Sequence, residues 1–314
     1  MERSVRTRRA ALGTVLAVVL ATLLGACSDG SGTSPEESAT PSAGPVLAVK
    51  IDNAPQARPQ TGLSAADVVY AEQVEAGLSR LMALYATRLP DSVGPVRSAR
   101  ESDLELLAQF PDPTLVFSGA QSKLLPLIEA APLRAVTPGS APAGAFVRDQ
   151  ERTAPYNLYV RPQRVQKDTA GAKALERAGF RTGPPPGGGE AVTERTVRFP
   201  SARFTFTWSA DRGRWQIAMD GRRAVEPDGT AVTAATVVVQ RVEIKESQFQ
   251  DFMGNNSPLT VTVGSGSAEV LRDGRTYPGE WKRASARGGT TFTTPDGDPL
   301  NIAKGPVWVM LVAS

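Results

Sequence analysis

Four polar groupings in this chain have the residue types and spacing to do chemistry. Asp52, Asn53 and Arg58 fall in the stretch Val49-Lys50-Ile51-Asp52-Asn53-Ala54-Pro55-Gln56-Ala57-Arg58-Pro59. There a short apolar run leads straight into a turn of polar and cyclic residues, and such loops at the carboxyl ends of strands are where a rigid scaffold exposes reactive groups. Glu72 and Glu75 are a pair of carboxylates. A glycosidase-like acid and base need carboxyls about 5–10 Å apart. On a strand these two would point to opposite faces, so the chain must turn between them. Arg97, Ser98 and Arg100 flank an expected helix start, where guanidinium forks and free N–H groups grip anions. Arg148-Asp149, Arg152 and Asn157 form the last grouping, stiffened by Pro155 and Tyr156. The arginines and Asp52-Asn53 are expected to converge on one groove.

Each grouping also has a plainer reading. One glutamate pairs with Arg80 or Arg97 and holds the fold. The arginines pair with Asp52, Glu72 or Asp149, and Asp52-Asn53 makes an Asx-type turn. Ser118 follows a strand and precedes a helix, but Phe117-Ser118-Gly119 is not a nucleophile elbow. Phe204, Phe206, Trp208, Trp215, Trp281 and Trp308 could stack sugars or bases; alternating aromatics in a β-rich chain are more often core.

Composition removes whole classes of chemistry. Histidine is absent and Cys27 is the only cysteine. A Ser-His-Asp triad is therefore impossible, and disulfides and cysteine-based metal sites are excluded from the folded part. No cofactor or metal is expected.

The chain opens as an address. Arg3, Arg6, Arg8 and Arg9 precede the uncharged, mostly apolar run Ala10 to Leu24, which ends Leu24-Gly25-Ala26-Cys27. That order fits a bacterial lipoprotein signal peptide, residues 1–27, with Cys27 as the lipidated residue. Arg8-Arg9 leaves Sec and twin-arginine export both open. The whole chain carries 35 Lys and Arg against 32 Asp and Glu, and cleavage leaves 31 against 31. Global charge then gives no support to nucleic-acid binding. Residues 28–45 are rich in Ser, Gly, Thr, Pro and Glu and read as a flexible tether of roughly 20–25 Å.

The elements that must position these groups follow from local pattern. Val46 to Ile51 reads as a buried strand. Val68 to Val74 and Leu81 to Ala86 read as a hairpin carrying Glu72 and Glu75. Ser98 and Glu101 have capping-box spacing for a helix to Phe110. Further helices are expected near Gln121 to Ala130 and over Arg164 to Gly179, and short strands at Thr114 to Phe117 and Ala145 to Arg148. Thr182 to Gly189 is a linker. Beyond it come alternating and β-branched runs, with Asp-Gly at 220, 228, 273 and 296. The run Val307 to Val312 is apolar enough for a central strand.

Val49 to Pro59, Gly94 to Arg100, Phe146 to Asp149 with Ala154 to Tyr159, Gly279 to Arg283, and Gly305 to Trp308 together resemble the YerB-like family of bacterial lipoproteins, a domain of unknown function with N- and C-terminal parts. The resemblance implies an exported, lipid-anchored protein with a layered mix of sheets and helices, and no established activity. The family pattern often has histidine where Tyr156 stands, which implies that chemistry needing that imidazole is absent or replaced here.

The expected fold is therefore α+β: layered mixed sheets with helices in an N-terminal half, residues 46–180, and a β-rich C-terminal half, residues 190–314, packed as one unit. The expected function is binding of an envelope protein or anionic wall component at the extracytoplasmic face, with membrane attachment through Cys27. Candidate ligand-binding residues are Asp52, Asn53, Arg58, Glu72, Glu75, Arg97, Ser98, Arg100, Arg148, Asp149 and Asn157. The competing reading is a cell-wall glycan hydrolase using Glu72, Glu75 or Asp52. A third is a structural subunit whose arginines only join the halves.

Overall fold

A computed structural model describes residues 44–167, 169–251 and 254–314. The signal peptide, Cys27 and the tether as far as residue 43 lie outside the described residues.

In the first half the strands are β1 (Leu47–Asp52), β2 (Val68–Gln73), β3 (Ser79–Tyr85), β4 (Thr114–Val116), β5 (Arg134–Val136), β6 (Phe146–Arg148) and β7 (Leu158–Val160). The helices are α1 (Ser102–Leu107), α2 (Leu125–Ala130), α3 (Pro162–Val165) and α4 (Ala172–Arg177). The second half supplies β8 (Glu190–Ala191), β9 (Glu194–Phe199), β10 (Ala202–Ser209), β11 (Arg214–Met219), β12 (Arg222–Arg223), β13 (Thr233–Ala234), β14 (Thr236–Gln250), β15 (Asn256–Val261), β16 (Gly264–Arg272), β17 (Arg275–Arg283), β18 (Thr291–Thr293) and β19 (Val307–Ala313).

One twelve-stranded mixed sheet runs through both halves, in the order β18-β17-β16-β14-β19-β2-β3-β1-β4-β5, with β15 on β14 and β8 on β17. The apolar last strand, β19, lies between β14 and β2 and is parallel to both. Its run from Val307 to Val312 is buried throughout, as a parallel strand covered on both faces must be. A five-stranded sheet (β9 to β13) covers one face, where Phe204 and Phe206 pack on Trp308 at ring-centroid distances of 6.1 and 6.4 Å. Short helices cover the other face, where Leu106, Leu107 and Leu175 join Ala48, Met82 and Val309 in one core. Of the six aromatics that could have stacked a ligand, Phe204, Phe206, Trp215 and Trp308 are fully buried core.

The α+β expectation, layered mixed sheets with helices in the N-terminal half, is corrected: among the described residues the fold is strand-dominated. The four α-helices span four to six residues each. Two causes shorten them. Arg97 N–H donates to the Lys50 carbonyl and Ala99 N–H to the Gly119 carbonyl, so the residues on either side of the expected cap, Ser98, are tied to β1 and a neighbouring loop. Ser98 therefore caps nothing, and Glu101 accepts instead from the Ser247 hydroxyl. The helix expected over 164–179 is broken into α3 and α4. Gly171 lies between them, where a side chain would meet the Pro45 carbonyl and Ala86. A six-residue helix is marginal alone and is held by packing on the sheet.

The hairpin signals were more local. Asp220-Gly221 and Asp273-Gly274 have φ of 53° and 83°, and 54° and 72°. Both are two-residue turns in which each residue is left-handed, the geometry that favours Asp-Gly.

Candidate functional site

Side-chain alternation gathers the charges. Lys50 and Asp52 lie on the helix-facing side of β1, opposite Met82 and Arg80 of β3. Glu72 of β2 is also opposite Arg80. Lys50, fully buried, contacts Glu72 and holds Asp103 of α1 at 2.7 Å. The other Asp103 oxygen accepts the Arg100 N–H at 2.7 Å. Arg100 forks Glu75 through Nε and Nη2 at 2.6 and 2.7 Å, and the Ser257 hydroxyl donates to the same carboxylate. Arg97 Nε lies 2.9 Å from Asp52 Oδ2 as an ion pair without hydrogen-bond alignment.

Four cations and four carboxylates thus balance, but their contacts do not. Lys50 takes two carboxylates. Arg80, only 9% exposed, forms no ion pair among the described residues; its sole hydrogen bond runs from Nη1 to the Ser98 carbonyl at 3.2 Å. Burial lowers its pKa to about 10, with the Arg100 charge adding to the effect. Burial also lowers Lys50 to about 8, against the pull of Asp103. Glu75 is lowered too, but against burial rather than because of it. Burial would raise it, but Arg100 and Ser257 overcome that and hold it at about 2.

Arg80, Arg97 and Arg100 face a cavity of about 580 Å³, with Gln121 and Ser122 on one side and Phe249 and Gln250 from β14 above. Arg100 is spent on Glu75 and the Ala99 carbonyl. Arg97 and Arg80 retain donors with no protein acceptor among the described residues, so a ligand here meets two guanidinium groups, with the carboxyls of Glu75, Glu101 and Asp251 also in the lining.

The other expected residues lie elsewhere. Asn53 accepts from Arg58 and Gln60 and donates to Ser79. Arg58 bridges to Asp220 at 2.8 Å and to the Met219 carbonyl, pinning its loop to the five-stranded sheet. Arg148 donates to Asn157 at 2.8 Å, and neither lines a cavity with the arginines above. Asp149 and Arg58 line a second, larger cavity of about 1100 Å³. Arg152 pins that cavity's floor, donating to the Pro59 and Gln56 carbonyls and to the Tyr159 hydroxyl.

The polar groupings therefore do not converge on one groove: some members line one of two cavities, and Asp52, Asn53, Glu72, Arg148 and Asn157 line neither. Asp52 and Asn53 are neighbours, and neighbours on an extended chain face opposite ways. Asp52 turns to Arg97, Asn53 to Arg58 and Ser79. Sequence reading missed Lys50, Asp103, Gln121, Tyr159 and Arg161. A lysine inside the otherwise apolar run Leu47 to Ile51 was the available signal, because a charge there must find buried partners.

The protein-of-unknown-function family DUF3048 matches the chain twice: its N-terminal domain over residues 31–176 and its C-terminal domain over residues 195–309. A Bacillus subtilis (strain 168) protein named "Putative lipoprotein YerB" is 25% identical over 276 residues, covering 85% of this chain and 80% of that one. A crystal structure of YerB from Bacillus subtilis superposes with a TM-score of 0.69 at 22% identity, covering 86% of this chain and 91% of the other. At that identity the superposition speaks for the fold alone.

Proposed function

The chain belongs to the DUF3048 family of proteins of unknown function, and from that premise we propose an exported lipoprotein that works by binding an anionic group in the arginine cavity. The signal-like residues 1–27 support export and lipid attachment at Cys27. The name of the similar Bacillus protein supports the same reading. The lipid would hold the domain at the extracytoplasmic face of the membrane. The group bound would be a carboxylate or phosphate carried by a wall component or an envelope protein.

One observation carries the binding reading: Arg80 is a nearly buried guanidinium that opens on a cavity and has no ion-paired carboxylate among the described residues. Burying a charge without a direct partner is costly, and a bound anion would remove that cost. The hydrolase alternative has less support. Glu72 is 1% exposed beside Lys50, Glu75 is forked by Arg100, and Asp52 pairs with Arg97. Their ion pairs commit all three to the protein, and neither Asp52 nor Glu72 lines the cavity.

The test is a thermal and calorimetric titration with phosphate, pyrophosphate and succinate. Saturating anion at 100 times its Kd should stabilise the wild type by about 2.7 kcal/mol. Arg80→Met should abolish that response while leaving the anion-free protein as stable or more so. A wild type that ignores all three anions, with an Arg80→Met protein that is strongly destabilised, would show a purely structural arginine.

A further inference from the structure

The larger cavity has a different character from the arginine cavity. One wall is a single face of the β6–β7 hairpin. Val147 and Tyr159 are register partners there, and alternation extends that face to Asp149 and Arg161. The opposite face, with Leu158 and Val160, packs into the core. Tyr156 rises from the loop between the two strands. It is half-buried, and its hydroxyl forms no hydrogen bond with any described residue. Pro59 and Pro227 complete an apolar strip.

Charge around this strip is balanced. Arg58, Arg152 and Arg161 face Asp91, Asp149 and Glu151. Arg58 and Arg152 are already committed to the protein. Arg161 and Glu151 are exposed, and neither has an ion pair or a side-chain hydrogen bond among the described residues.

From this we infer that the groove is a saccharide-binding site, distinct from the anion cavity and independent of the reading given for it. Tyrosine faces offer an apolar platform with a polar edge. Planar carboxylate and guanidinium groups at the rim suit vicinal hydroxyls, which both donate and accept. Pinning by Arg152 holds the floor before any ligand arrives, which lowers the ordering cost of binding. An extended peptide is the poorer fit. The wall is a sheet face, so the Val147 and Tyr159 backbone groups are turned to each other. A peptide lying on it finds no ladder to join.

The full chain is titrated by calorimetry with maltotetraose, cellotetraose, mannotetraose and chitotetraose. At least one should bind saturably. Tyr156→Ala should weaken it about tenfold or more, equal to about 1.4 kcal/mol, with the melting temperature unchanged, and Tyr156→Phe should keep most of the affinity. Glu151→Gln, at an exposed position, should also weaken binding. Four oligosaccharides that fail to bind at millimolar concentration would overturn the inference. So would Tyr156→Ala affinity equal to wild type, or an extended peptide that binds the groove in their place.

Discussion

Glu75 shows how one residue's surroundings become a pH dependence. Its folded pKa of about 2 lies below its ordinary value of 4.5, because Arg100 and Ser257 outweigh the effect of burial. A group depressed in this way contributes stability above its unfolded pKa. That contribution is lost as the pH falls from about 4.5 through about 2. Arg100→Ala removes the fork and leaves the buried carboxylate with the Ser257 hydroxyl but no cation. We expect a loss of about 3 kcal/mol at pH 7 by urea unfolding, the scale for removing one partner of a buried pair. The acid midpoint should also move to higher pH. An unchanged acid midpoint would mean that Glu75 is held by something other than this fork. Arg80→Met should behave oppositely at neutral pH, since it removes a charge that has no ion pair to lose.

At the scale of elements, α1 works as an acceptor for the second half more than as a core helix. Glu105 Oε1 accepts from Thr262 N–H at 2.6 Å, Thr262 Oγ1 at 2.9 Å and Val263 N–H at 3.1 Å. Ser102 Oγ accepts the Thr260 N–H at 2.9 Å. These bonds seat β15 over the arginine cavity. Glu105→Ala leaves two backbone donors without an acceptor and should cost about 3 kcal/mol. Glu105→Gln keeps an acceptor oxygen and should cost about 1 kcal/mol by the same measurement. Equal losses would mean that charge, not acceptance, is what matters there. None of this was legible in the sequence, because the partners lie more than 150 positions apart. What could be read was local. The β2–β3 hairpin, the apolar β19 and the Asp-Gly turns at 220 and 273 each follow from a few adjacent residues. The helices were over-extended because the pattern near Ser98 cannot show that Lys50 and Gly119 claim its neighbours' backbone. For the site the limit was similar. Residue types singled out Arg97, Arg100, Glu75 and Asp52, but the division into two cavities rests on which way each side chain turns.

The whole molecule is joined in its middle, and that bears on how the halves 46–180 and 190–314 behave. The last strand enters the sheet between β14 of its own half and β2 of the other, so the two parts share a ladder and not merely a surface. The segment that links them is exposed at Pro184, Pro185, Gly187 and Gly188, and added side chains at Gly187 and Gly188 would meet nothing within 4 Å. A protease site inserted between these two glycines should therefore be cleaved without disturbing the sheet. We propose that the nicked protein stays a single particle on gel filtration and melts in one calorimetric transition. Its melting temperature should fall, because cleavage raises the entropy of the unfolded state. Deleting Val307–Ser314 should instead prevent folding of both halves, since it exposes the strand edges of β14 and β2 at the centre of the core. Two separate transitions, or fragments that part without denaturant, would mean that each half folds on its own and that the shared ladder is a docking contact. The arginine cavity makes the same demand: its floor comes from β3 and the loop before α1, its roof from β14, so a protein whose halves parted would lose anion binding at the moment of separation.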